Sequence, residues 1–82
     1  MLETWMKKIP DGKDLPTFIK EVHDYMGDYA EGADGYEVKV VGEKDFEECW
    51  EEQENLKRNT EVYNRYKILA KNGKVVFVQI DW

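Results

Sequence analysis

Val75-Val76-Phe77-Val78-Gln79-Ile80 decides the fold. The run is short, rich in β-branched residues and apolar at odd and even positions alike. A strand of that kind needs cover on both faces, which places it at the centre of a sheet with helices on either side. Just upstream stands Asn72-Gly73, the dipeptide favoured in two-residue hairpin turns because both positions take positive φ. The stretch before it, 61–70, is rich in Val, Tyr and Ile. The expectation is a C-terminal hairpin of 61–70 with 74–81, pairing Ala70 with Val75, Ile68 with Phe77 and Tyr66 with Gln79.

Tyr36-Glu37-Val38-Lys39-Val40-Val41 alternates and supplies a third strand, so the central run is flanked by 36–41 and 61–70. The remaining apolar residues recur at helical spacing. Leu2, Trp5, Met6 and Ile9 form one short face. Leu15, Phe18, Ile19, Val22, Tyr25, Met26 and Tyr29 form the stripe of a helix over about 15–31, with Asp14 as N-cap, Pro16 in the first turn and Gly32 as C-cap. Phe46, Cys49, Trp50, Gln53 and Leu56 predict a helix over about 46–58, opened by a capping box of Asp45 with Glu48. The expected fold class is α+β, a single domain over 1–82. Its order is ααβαββ, with a small three-stranded, mostly antiparallel sheet packed against helices. With 82 residues, such a chain buries roughly 60–65% of the surface it exposes unfolded, enough for one modest core.

Charge is unevenly laid out. The net charge is −6, with 37% charged residues against 41% hydrophobic ones. Residues 1–56 hold 16 acidic and 6 basic side chains, whereas residues 57–82 hold 2 acidic and 6 basic. Nucleic acid and anionic lipid should therefore repel the chain, and basic surfaces should attract it. Glu47, Glu48, Glu51, Glu52 and Glu54 concentrate on the third predicted helix. A negative stripe of this sort either imitates a row of phosphates, is a solvated face, or lies near the basic hairpin and is neutralised by it. Asp24, Asp28 and Glu31 are interleaved with Tyr25, Tyr29 and Tyr36, as in a protein interface. Tyr25 and Tyr29 are expected to belong to the core stripe of their helix.

No motif points to catalysis. One histidine, His23, and one cysteine, Cys49, have no zinc spacing. Cys49 falls on an apolar stripe and reads as a buried, inert thiol; His23 reads as a surface residue. No glycine-rich phosphate loop occurs, and the turn between Gly32 and Gly35 has the wrong sign for phosphate. A lone cysteine, no membrane-length apolar run and no signal-peptide order of residues lead to the expectation of a cytoplasmic protein. No cofactor and no metal are expected.

The functional expectation is a non-enzymatic acidic protein that inhibits or neutralises a basic partner, a nuclease or another nucleic-acid-binding protein. Immunity proteins and phage anti-defence proteins share this profile of composition, and nucleic-acid mimicry is the implied device. The residues expected to bind are Glu47, Glu51 and Glu54, supported by Glu48 and Glu52, with Asp24, Asp28 and Glu31 as a second set. The competing expectation is a housekeeping interaction or assembly domain, homodimeric through an exposed strand edge. A third is a nucleic-acid platform made by the hairpin bases with Tyr63 and Tyr66.

Overall fold

The computed structural model describes all 82 residues, Met1–Trp82. The order of elements is β1 (Leu2–Lys8), α1 (Leu15–Tyr29), β2 (Gly35–Val41), α2 (Phe46–Glu51), α3 (Thr60–Lys71) and β3 (Val75–Asp81). The three strands form one sheet in the order β1-β3-β2, with β3 antiparallel to both neighbours. The class is α+β, as composition and periodicity indicate, and the central strand is the one that the apolar run requires.

Strand β3 alternates between two cores. Val76, Val78 and Ile80 pack with Phe18, Val22, Met26 and Ala30 of the α1 side. Val75 and Phe77 pack with Phe46, Cys49, Trp50 and Ala70 of the α2/α3 side. Each of these five β3 residues is at most 1% exposed. Full burial of side chains this size contributes roughly 1.5–3 kcal/mol apiece, so β3 anchors both layers.

Two segments exchange type relative to the sequence expectation, leaving the number of strands and helices unchanged. Residues 2–8 are a strand. Trp5 and Ile9 share one face and Leu2 and Met6 the other, so the three-four-seven spacing that suggests a helix also satisfies a period of two. Residues 60–71 are a helix, which removes the C-terminal hairpin. Val62, Tyr63, Tyr66, Leu69 and Ala70 lie on one helical face against the core. Asn59 caps the helix by accepting from the Val62 amide at 3.1 Å.

Asn72-Gly73 ends α3 instead of turning a hairpin. Gly73 has φ +66° but Asn72 has φ −102°, which excludes the paired positive φ of the expected turn. The Gly73 amide donates to the Ala70 carbonyl and the Lys74 amide to the Leu69 carbonyl, both at 3.1 Å. This is the Schellman arrangement, in which a left-handed glycine closes a helix.

Helix α1 forms as the spacing predicts. Asp14 accepts from the Thr17 amide at 3.2 Å, and the Thr17 hydroxyl donates to it at 2.8 Å, which lowers the Asp14 carboxyl below its ordinary range. Its C-cap is Ala30 rather than Gly32. Helix α2 stops at Glu51, well short of 58, and Asp45 makes no side-chain cap bond, so the expected capping box is not formed. The like-charged pairs Glu47–Glu51 and Glu48–Glu52 disfavour a longer helix. Residues 52–59 run instead as turns, through Gln53 amide to Trp50 carbonyl (2.9 Å) and Leu56 amide to Gln53 carbonyl (3.0 Å).

Candidate functional site

The margin between α1 and β1 carries an aromatic patch. At about 100° per residue, Phe18, Val22 and Met26 form the buried centre of α1, with Tyr25 and Tyr29 on the β1 flank of that stripe. Tyr25 is 55% exposed and Tyr29 42%, so they are not core residues. Their rings stack at 5.4 Å, and both meet the half-buried Trp5 edge-on at 6.4 Å. Trp82 meets Tyr29 edge-on at 5.8 Å, and the Lys7 ammonium lies over the Trp5 ring at 4.6 Å.

Glu3 holds this patch together. Its carboxylate accepts from the Tyr29 hydroxyl at 2.8 and 3.0 Å and from the Trp82 indole N–H at 3.0 Å. The hydrogen bond to Glu3 raises the Tyr29 hydroxyl above the ordinary tyrosine range. Just outside the tyrosines, about 60–100° further around the helix, come Asp28 and Asp24, and Glu31 follows in the turn beyond its C-cap. All three are exposed and form no ion pair.

The acids of the α2 region divide into two groups. Glu51, Glu52 and Glu54 line a shallow groove of about 570 Å³ with Leu2, Glu3, Thr4 and Asn55. Leu2 is the one hydrophobic residue there. A groove walled by carboxylates suits a basic side chain better than an apolar small molecule. Glu3 belongs both to this groove and to the aromatic patch, so groove and patch meet at the start of β1. Glu47 and Glu48 lie elsewhere. Glu47 accepts from the Tyr63 hydroxyl and, at 3.3 Å, from the Lys67 ammonium. The Tyr63 hydrogen bond, with Lys67 behind it, lowers the Glu47 carboxyl below its ordinary range. Glu48 is exposed on the side of Lys39. Desolvation by itself would lower the Lys39 ammonium, yet Cys49, Glu37 and Glu48 outweigh this and raise it above the ordinary range.

The stripe is thus partly neutralised within the molecule. Glu51 pairs with Lys57 at 3.1 Å, and Glu52 accepts from the Gln79 carboxamide. Lys67, placed by sequence on a hairpin, reaches Glu47 from α3. The hairpin platform for nucleic acid is not formed: Tyr63 packs edge-on against Phe46 and Trp50, and Tyr66 leans on Trp50.

Cys49 is 1% exposed, and burial pushes its thiol up, against a smaller opposing effect of Lys39. His23 is exposed on the β2 flank of α1, its Nδ1 3.3 Å from the Tyr36 hydroxyl. No three His, Cys, Asp or Glu side chains converge as a metal-holding group. No helix is long and apolar enough to cross a membrane.

The sequence does not mark Trp5 or Glu3 as binding residues; Trp82 reads there either as packed under a helix or as an exposed anchor, and it stands half-buried against Tyr29 and Glu3. The available signal lay in α1, where seven apolar residues make a stripe wider than one sheet face needs. Tyr25 and Tyr29 stand at its acidic border. No protein-family model, curated protein or solved structure matches this chain, so any functional reading rests on its own residues.

Proposed function

We propose that this domain is a non-catalytic binding protein that docks onto a basic surface of a nucleic-acid-handling protein and blocks it. The observation that carries this reading is the stacked, exposed Tyr25–Tyr29 pair beside Trp5 and Trp82, bordered by carboxylates. Exposed aromatic rings on a rigid helix supply the anchors that dominate protein interfaces. Asp24, Asp28 and Glu31 on one side, and Glu51, Glu52 and Glu54 across Glu3 on the other, supply the complementary charge. Surfaces that grip phosphates are rich in Lys and Arg, and a net charge of −6 steers this domain toward them. Inhibitors of the immunity or anti-defence type fit this combination. Glu47 takes a lesser part because it is occupied by Tyr63 and Lys67, and Glu48 because it lies away from the groove, on the side of Lys39.

The test is capture from a cell lysate at low and moderate salt, followed by a challenge with duplex DNA. Three baits are used: the wild type, Tyr25→Ala/Tyr29→Ala, and Glu47→Gln/Glu51→Gln/Glu54→Gln. The expected result is one basic nucleic-acid-binding protein held by the wild type, lost with the tyrosine variant and released by DNA. Capture that neither variant alters, or a partner indifferent to DNA, overturns the reading.

A further inference from the structure

The two edges of the sheet are not equivalent. Along β1 the Thr4 hydroxyl donates to the Glu52 carbonyl at 2.6 Å. The Gln53 side chain, 1% exposed, lies against the Thr4–Trp5 peptide. Oriented to satisfy both ends, its carboxamide donates to the Thr4 carbonyl at 3.2 Å and accepts from the Trp5 amide at 2.9 Å. The 52–53 segment therefore covers that edge. Along β2 no backbone or side-chain group bonds the outer edge, and Tyr36 and Val40 are 40% and 37% exposed.

The outward groups of β2 follow from the ladder. Met1 with Trp82, and Ile9 with Lys74, are backbone-bonded across β1 and β3. In an antiparallel pair the bonded positions alternate, so β3 turns its even-numbered peptide groups to β1 and its odd-numbered ones to β2. In β2 the odd-numbered residues then bond β3, by the register Glu37 with Gln79 and Lys39 with Phe77. The N–H and C=O groups of Tyr36, Val38 and Val40 face outward.

We infer that the outer edge of β2 pairs with β2 of a second copy of this chain, antiparallel and two-fold about Val38. That register bonds Val38 to Val38 of the second copy and Tyr36 to Val40, using every outward group. It sets Glu37 opposite Lys39 and Lys39 opposite Glu37 at the closely spaced, non-bonded positions, where side chains interact most. It also sets Tyr36 against Val40 on the α1 face, a favourable aromatic and β-branched pair. A two-fold register one step away in either direction opposes Glu37 with itself or Lys39 with itself, which destabilises. The strand is thus self-complementary in one register, and charge selects it. This surface is on the opposite edge from the aromatic patch, so the inference stands or falls independently of the proposed partner.

The test is sedimentation equilibrium of the purified chain over a wide concentration range. Wild type is expected to dimerise. Lys39→Glu and Glu37→Lys, each putting like charges in register, are expected to weaken the dimer by tenfold or more. An equimolar mixture of the two restores opposite charges at both positions and is expected to recover dimer mass, as is the double exchange Glu37→Lys/Lys39→Glu. Val40→Pro removes an N–H that bonds nothing within one chain and is expected to leave a folded monomer by circular dichroism. A wild type that stays monomeric at the highest concentration, or single variants that dimerise as well as wild type, overturns the inference. Failure of the mixture and the double exchange to dimerise overturns it also.

Discussion

On the α2 side of the sheet, Glu47 is engaged by Tyr63 and Lys67, Glu51 by Lys57 and Glu52 by Gln79. On the α1 side, Asp24, Asp28 and Glu31 have no such partners and stand beside exposed tyrosines. Part of the denser acidic cluster is therefore met within the molecule, at Glu47, Glu51 and Glu52, while Glu48 and Glu54 form no ion pair. The sparser one is left facing outward. Local density of charge is a poor guide to a binding surface; what matters is whether the protein's own bases have already met it.

That contrast can be broken experimentally, and the tyrosines offer the largest effect. Tyr25→Ala/Tyr29→Ala should weaken partner binding by roughly thirtyfold or more while leaving the melting temperature within a few degrees of wild type. Titration calorimetry and a thermal melt check both halves. Substitution on the other side should do the reverse. Gln53→Ala removes the donor from the Thr4 carbonyl and leaves a buried void, costing about 2 kcal/mol and lowering the melting temperature by roughly 10 °C. Partner affinity should then change little while the protein remains folded.

Charge neutralisation should give smaller, graded effects. Asp24→Asn/Asp28→Asn/Glu31→Gln should slow association several-fold, roughly three- to tenfold at low salt, with the difference shrinking as salt rises. Stopped-flow mixing with the captured partner measures this. Glu47→Gln should barely alter that rate.

The smallest effect is in acid. The folded Glu47 carboxyl lies below its ordinary value of 4.5 because Tyr63 and Lys67 favour its charged form. Its contribution to stability is complete above the unfolded value and is lost as pH falls through the folded one. Tyr63→Phe should move the Glu47 titration, followed by the side-chain carboxyl carbon resonance, back up toward 4.5. An unchanged midpoint would show that the hydroxyl does not hold this carboxylate.

The two sides also differ in how far they can be read without coordinates. Helix α1 was legible because one long stripe, one N-cap and one proline all agree, and β3 because a run that short, β-branched and apolar on both faces suits a covered strand. Residues 61–70 were not, since Val, Tyr and Ile favour strands intrinsically while Val62, Tyr66 and Leu69 pack as a helix; tertiary burial overrides propensity there. Asn72-Gly73 compounded the error, because a left-handed glycine closes a helix as readily as it turns a hairpin. For the candidate site, the acids of α1 were legible by composition. The exposure of Tyr25 and Tyr29 was not, because it depends on how far β1 extends beneath the helix, and β1 itself reads as helical.

Neither β1 nor β2 touches the other; each is bonded only to β3. During synthesis, then, both wait unpaired until β3 has been made, and α1 must hold its apolar stripe without a floor. Closing such distant contacts late predicts slow, concerted folding for a domain of this size. It also makes a ribosome-bound fragment that stops before Val75 the species most exposed to aggregation.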